Sequence, residues 1–553
     1  MTGPAVPVTT DGQDPGSYRP AGSGIGRAAL LIAVLTVLAR LLGLVRTLVF
    51  AKTVGATCLG TAYTTANTLP NIIYDIVLGG ALTSIMVPVL ARPAARSADD
   101  PVAAAEVRQT SSALLTWTAL ILAPVSLVIA LAAGPLGRLL NPVNPTRHCA
   151  RAPLVAVTGH MLAVFAPQIL LYGLAVVLYG MLQAHRRFAG PALAPLVSSL
   201  VVIAAYLAFV PLGRADVNRL TALPRSAELV LAVGTTAGVA ALALTALVPA
   251  WRLHVRVRPT LRFPAGVGRR AGGLAAFGIV ALVAQDAAQL VVILLANGNG
   301  PNAAIVLYQY GWQLFEAAYA VLAISIAVSA FPALSVREGE RFDQTASGSL
   351  RAVLLMSFLG TALVLAVAGP AAHFLASSHS QIAPLARGFA LFAPGLAGYG
   401  MVACLSRVLL ADRRTRAAVI PVGGGWLIVI AADVVLVALA PGPWVVGMLA
   451  LGNTIGLTAA GLALAVAVRR TRGMAALAGS RRVAVSGLIA ALAGAVAGGG
   501  AAAALRPSGP VADALTAVLA ALLAAAVFAA VAYVLDKAEV RAVAARIRAG
   551  ALR

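Results

Sequence analysis

The feature that most constrains this chain is a run of about twenty apolar residues, repeated along almost its whole length. A bilayer core about 30 Å thick takes about 20 residues of helix to cross, and within it only helices and closed barrels satisfy their own backbone. Fourteen such runs stand at approximately residues 28–50, 69–91, 111–133, 154–182, 189–212, 227–249, 273–296, 304–333, 350–375, 384–411, 417–439, 444–468, 483–505 and 511–535. The chain is 60% hydrophobic and 11% charged, against roughly 25% charged in a soluble domain, so little is left for a water-soluble unit. The expected fold is an all-α integral membrane protein of about 14 transmembrane helices.

The net charge of +23 would point to nucleic acid only if it gathered on one patch or helix stripe, and it does not. With a cytoplasmic N-terminus, 28 of the 41 Lys and Arg residues fall in loops on that side and 8 in the opposite loops. The remaining five are Arg40, Arg46, Arg351, Arg387 and Arg407, in or at the ends of the runs. That bias is the positive-inside pattern; it places both termini in the cytoplasm and makes anionic lipid headgroups, not nucleic acid, the natural partners. Residues 1–27, rich in Gly, Pro, Thr and Ser with no apolar core, read as a disordered cytoplasmic tail, and 536–553 as a basic one. Cys58, Cys149 and Cys404 show no CxxC spacing and the six histidines no HExxH, so no zinc-type metal site is expected. Cys58 and Cys149 fall in predicted outer loops, where oxidation is chemically allowed, but pairing geometry is not written in sequence, and no disulfide is expected.

The chain also repeats itself. "SIMVPVLAR" (Ser84 to Arg92) closes the second run and "AVSAFPALSVR" (Ala327 to Arg337) the eighth, with Pro88 and Pro332 244 residues apart. "LQAHRRFAGPALAP" and "LLADRRTRAAVIP" end the fourth and tenth runs alike. Two six-helix lobes of like orientation are expected, 28–249 and 273–468, with basic linkers at 250–272 and from 469, and a helix pair reaching 535 outside the repeat.

Ionisable groups at bilayer depth are costly and mark pathways or pairs. Arg40 and Arg46 lie about 120° apart around the first helix, so both line one broad face; Arg46 can also snorkel to the outer edge. Asp75 falls about 9 Å below the outer edge of the second run, where either Arg46 or the positive end of its own helix would stabilise it. Asp286 and Glu316 sit deep in the seventh and eighth runs, with Gln313 nearby, and Asp433 near the middle of the eleventh. Such carboxylates carry a proton or sodium ion in a transporter, or pair across helices; for Asp433 the partners at hand are Arg387 and Arg407. No Ser/His/Asp arrangement, paired-Asp motif or GxxxxGK[ST] loop is present, so enzyme and ATPase chemistry are not expected.

"ARLLGLVRTLVFAKTVGA", "LPNIIYDIVLGGALTSIMVPVLAR", "VLYGMLQAHRRFAGPALAP" and "AISIAVSAFPALS" together resemble the MurJ (MviN) family, lipid II flippases of the MOP exporter superfamily. The resemblance implies a bacterial cytoplasmic-membrane protein that moves a polyprenyl-diphosphate-linked peptidoglycan precursor outward by alternating access. A cationic cavity would grip the diphosphate and the extra helix pair the lipid tail. Arg and Lys suit that grip because phosphate accepts charge-assisted bonds from them. Arg40 and Arg46 match the family's first-helix arginines. Where the family carries two further arginines and then an acid, this chain has Tyr74, Asp75 and Gly79; Trp312 and Gln313 replace an Asp-Arg pair, and Thr61 an aspartate. Asp433 and Asn453 resemble acid and polar ligands of a sodium site in some members, whereas Asp286 does not align with the seventh-helix acid. The candidate cavity residues are therefore Arg40, Arg46, Asp75, Gln313 and Glu316, and the candidate coupling residues Asp433, Asn453 and Asp286. No cofactor is expected, with transport driven by membrane potential or a cation gradient.

The departures keep open a flippase for another polyprenyl-linked glycan. A multidrug exporter of the same superfamily would have twelve spans, and a non-transporting scaffold would recruit cell-wall synthesis proteins through its basic loops. A membrane glycosyltransferase would need a large acid-bearing loop that is missing.

Overall fold

The structure, a computed structural model, describes all residues except 1–23, 78–89, 91–92, 94–95, 97–99, 145–147, 186, 188, 252–257, 264–266, 441, 506–508 and 552–553. Most of the predicted 1–27 tail therefore lies outside the described residues. The first half holds α1 (Gly24–Thr53), α2 (Cys58–Asp75), α3 (Pro101–Leu131), α4 (Ala133–Leu140), α5 (Arg151–Phe165), α6 (Pro167–Ala184), α7 (Ala189–Gly213) and α8 (Arg225–Trp251). The second holds α9 (Val267–Asn299), α10 (Ala304–Tyr319), α11 (Ser325–Ser335), α12 (Gly339–Leu375), α13 (His379–Phe392), α14 (Gly395–Ala411), α15 (Thr415–Leu439) and α16 (Val445–Arg472). The chain continues through α17 (Ser480–Leu505), α18 (Pro510–Leu535) and α19 (Lys537–Ala551).

Among the described residues, twelve spans are long and apolar enough to cross a membrane. The other two expected runs coincide with α1 and with α2, whose continuation lies outside the described residues. The sequence misplaces the start of α2, which begins at Cys58 and not near 69, capped by the Thr57 hydroxyl accepting from Gly60 N. The polar stretch hides this start because its side chains face protein, not lipid. Thr61, Tyr63 and Thr65 are buried, and the Tyr63 hydroxyl bonds those of Tyr206 (2.8 Å) and Thr235 (2.9 Å). Asp75 therefore lies about 26 Å from the start of its helix, far from the outer edge where the sequence set it.

The internal repeat is visible in atomic detail. Each half breaks its fourth span at an Ala-Pro step, Ala166–Pro167 between α5 and α6 and Ala393–Pro394 between α13 and α14. Proline removes a helical donor and orphans carbonyls, which in a membrane must find partners within the protein. The third span of each half supplies a donor at the step itself: Ser126 Oγ donates to Ala166 O (2.8 Å) and Thr361 Oγ1 to Ala393 O (2.9 Å), carbonyls that also accept from Ile169 N (3.1 Å) and Leu396 N (3.2 Å). The sixth supplies another: Thr236 Oγ1 donates to Val164 O (3.0 Å) and Thr454 Oγ1 to Leu391 O (2.6 Å). The matching "FAP" triplets were legible in the sequence, 227 residues apart like the basic ends of the same spans.

Packing distinguishes the two ends of the bundle. At one end a single core joins both halves, from Phe50, Tyr63, Phe165 and Phe209 to Tyr308, Phe315, Phe389 and Val445. At the other the halves keep separate cores, one around Val177, Leu182 and Ala246 and one around Leu350, Val353, Val408 and Leu464. The separated end is the one with the Arg-rich loops. Of the expected linker, 258–263 lies along α3, where Arg258 N and Thr260 N donate to Ser112 and Thr116 hydroxyls (3.1 and 3.2 Å). α17 and α18 pack on each other and on α12. The basic C-terminal segment, expected as a tail, forms α19, tied down by Arg351–Glu539 (2.8 Å) and, just before it, Arg482–Asp536 (3.4 Å).

Cys58 and Cys149 form a disulfide, contrary to the expectation from sequence. They are 91 residues apart in the chain, and the packing of α2 on α5 brings their Cα atoms to 5.7 Å, within bonding range. Mass-tagging with a maleimide after denaturation is expected to add one label without reductant, at Cys404, and three with it. Three labels under both conditions would show that the bridge does not form.

Candidate functional site

Between the separated cores runs a cleft walled by α1 and α2 from the first half and α9 and α10 from the second. Arg40, Asp75 and Glu316 are exposed there, and Arg46 and Gln313 half-buried. Arg40 and Asp75 both act electrostatically on Glu316, and Asp75 on Asp286, which places these four groups around one space. Arg46 lies deeper, with the Tyr63, Tyr172 and Tyr206 hydroxyls in its field. At mid-height Thr47 Oγ1 donates to Gln313 Oε1 (2.7 Å), bridging the halves.

The pairing of Asp75 with Arg46 weighed from the sequence does not form, and among the described residues none of Arg40, Arg46, Asp75, Asp286 and Glu316 is in a salt bridge. The guanidiniums thus keep their donors for a ligand. Tyr74 packs its ring on Tyr172 at 4.3 Å between centroids, while Tyr172 donates to Asn71 Oδ1 (3.3 Å). The cleft therefore offers aromatic faces and acids alongside its two arginines.

Asp433 sits elsewhere, fully buried between α15 and α16. Neither expected partner reaches it. The Arg387 guanidinium lies 4.1 Å over the Trp444 ring, and Arg407 donates to Ala403 O (2.7 Å). Both Asp433 carboxylate oxygens lack a hydrogen-bond donor. Gly452 leaves them space, since a Cβ there would collide with Asp433 Oδ1. Asn453 Nδ2 donates to Tyr308 Oη and to Leu449 O, both at 3.0 Å, and Tyr308 lies within the field of Asp433. Asp433, Asn453 and Tyr308 make a buried oxygen-rich spot. Asp286 is not part of it; it is buried facing the cleft with Oδ2 unpartnered.

The joined end is a closed gate made of residues the sequence did not single out. Ala56 N donates to Ser377 Oγ (2.9 Å) and Gln381 Nε2 to Ala56 O (2.7 Å). Lys52 Nζ donates to Phe374 O (2.6 Å) and lies 4.3 Å over its ring. Asn297 Nδ2 reaches Thr65 Oγ1 (3.0 Å) and Leu140 O (2.9 Å), and His148 N donates to Asn302 Oδ1 (3.0 Å). No local pattern announces contacts between such distant positions. A cleft closed at one end and open at the charged end is the geometry of an alternating-access transporter in one of its states.

A family model described as Lipid II flippase MurJ matches residues 50–509. A probable lipid II flippase MurJ of Synechocystis sp. is 30% identical over 232 residues, 41% of this chain and 40% of that protein. The lipid II flippase MurJ of Burkholderia cenocepacia is 27% identical over 185 residues, 34% of each. These alignments thus span well under half of the relatives' length. Among solved structures, a lipid II flippase MurJ in an inward closed conformation superposes with a TM-score of 0.69 at 16% identity, covering 91% of this chain and 99% of that one. An inward-facing multidrug resistance MATE transporter of the MOP superfamily superposes at 0.63 and 13% identity, covering 81% and 98%. At these identities both likenesses describe the fold.

Proposed function

The chain belongs to the lipid II flippase MurJ family, and from that premise we propose that it carries lipid II from the inner to the outer leaflet of a bacterial cytoplasmic membrane. The observation that carries this reading is the cleft, closed at one end, with Arg40 exposed at its open end and Arg46 deeper within. A sugar-diphosphate headgroup cannot cross hydrocarbon unaided, but a cationic cleft gives its phosphates charge-assisted partners while the tail stays in lipid. The Arg-rich end faces the cytoplasm, with both termini, and α17 and α18 offer the tail an apolar surface. Asp433, buried without a donor, is the group we assign to coupling. Its carboxylate, with the oxygens of Asn453 and Tyr308, suits a proton or a hard monovalent cation such as sodium. Asp75 favours a second reading, a flippase for another polyprenyl-diphosphate-linked glycan, because it sets an acid where a strongly cationic site would have none. Depleting the protein and assaying lipid II on the outer leaflet tests the choice. Outward exposure is expected to fall, and unchanged exposure with intact wall synthesis would overturn the lipid II reading.

A further inference from the structure

Away from the cleft, where α11 turns into α12 at the Arg-rich end, the second half holds a pocket of about 810 Å³. Arg337 and Arg341 line it with Ser325, Ser329 and Thr345, and Val543 of α19 closes one side. None of Arg40, Arg46, Asp75 and Glu316 contributes to it.

The charge balance there is unusual. The carboxylates around this end are taken up elsewhere: Asp343 by Arg472 (3.2 Å), Asp412 by Arg414 (3.3 Å), and Glu539 by Arg351 (2.8 Å). Glu338 and Glu340 flank the arginines in sequence but do not line the pocket. Arg337 bonds only the neutral Thr345 hydroxyl, which itself donates to Arg341 O (2.7 Å). No described residue accepts a hydrogen bond from the Arg341 guanidinium. The pocket's hydroxyls already donate to backbone carbonyls, Ser325 to Ala320 O (3.0 Å) and Ser329 to Ile326 O (2.9 Å), so it is the two guanidiniums, with donors to spare, that match an oxyanion such as phosphate.

The walls also carry apolar surface. Ile326, Ala330 and Val543 line the pocket, and Val321, Val328 and Val336 stand exposed along the same segment. A turn of π-helix at Ala320–Ile324 immediately precedes Ser325, a distortion frequent at functional sites. A free anion would use the arginines and leave the apolar walls idle, whereas a phospholipid uses both.

We propose that this pocket binds the phosphate of an anionic membrane lipid between Arg337 and Arg341, its acyl chains lying along the apolar face of α11. The site is independent of the flippase reading, since it shares no residue with the cleft.

The test is native mass spectrometry of the full chain in detergent, titrated with dioleoyl-phosphatidylglycerol, with dioleoylglycerol, or with inorganic phosphate. Saturable binding of phosphatidylglycerol but not dioleoylglycerol is expected. Binding should fall on the order of tenfold in Arg337→Gln/Arg341→Gln and largely persist when both become lysine. Should the double variant fail to fold, Arg341→Gln alone gives the readout, because that side chain supports no described contact. Equal phosphatidylglycerol binding by wild type and the Gln variant, at matched melting temperature, would overturn the site. Displacement of the lipid by inorganic phosphate alone would assign the pocket to a free anion and overturn the lipid reading.

Discussion

Replacing Arg40 and Arg46 together with alanine is expected to abolish transport while leaving the protein folded and in the membrane. Neither guanidinium is in a salt bridge among the described residues, so their removal leaves no buried carboxylate stranded and the folding cost is small. Each charge-assisted bond to a diphosphate is worth about 1.5–3 kcal/mol. Loss of both therefore corresponds to roughly a hundredfold or more in substrate affinity. A strain depending on this chain should not grow on the double variant, although detergent extracts contain it at normal abundance and melting temperature. Full complementation by the double variant would remove the arginines from the mechanism and favour a scaffold role.

The second large effect lies in packing. Gly398 of α14 meets the backbone of α16; a Cβ there would come within 2.5 to 2.9 Å of Thr458 Cα, Thr458 N and Leu457 C. In lipid, helices associate through close packing of small residues rather than hydrophobic collapse, and backbone atoms cannot rotate away as a side chain can. Gly398→Leu is expected to cost at or above the upper part of the roughly 1–3 kcal/mol typical of overpacking. It should lower the amount recovered from membranes severalfold, with Gly398→Ala showing the same sign at smaller size. Gly424→Ala, in α15 with nothing within 4 Å of its added carbon, is the control. Equal recovery of the Gly398 and Gly424 variants would refute the close approach.

The spans were legible because crossing a bilayer is a local property of about twenty residues. Arg40, Arg46, Asp75 and Glu316 stood out because a charge in an apolar run needs a reason. What the sequence hid depends on partners far along the chain. The start of α2 reads as a polar loop until Tyr206 and Thr235 are placed beside Tyr63. Cys58 and Cys149 look like two loop thiols until α2 packs on α5. For Asp433 the sequence leaves an ion pair open beside a coupling role, because nothing in a run of letters shows that Arg387 turns to Trp444 and Arg407 to its own helix. The "FAP" steps are the exception, because each is a local triplet and their 227-residue spacing is written in the chain itself.

The disulfide also bears on how the closed end can part. Both of its cysteines belong to the first half, and the backbone groups beside them, at Ala56 and His148, are among those that grip Ser377, Gln381 and Asn302 across the gate. It is a rivet within one jaw and not a bolt between two. Reduction therefore breaks no covalent link across the gate; what it loosens is the tie between the Ala56 and His148 sides of one jaw, two of the places where that jaw meets the other half.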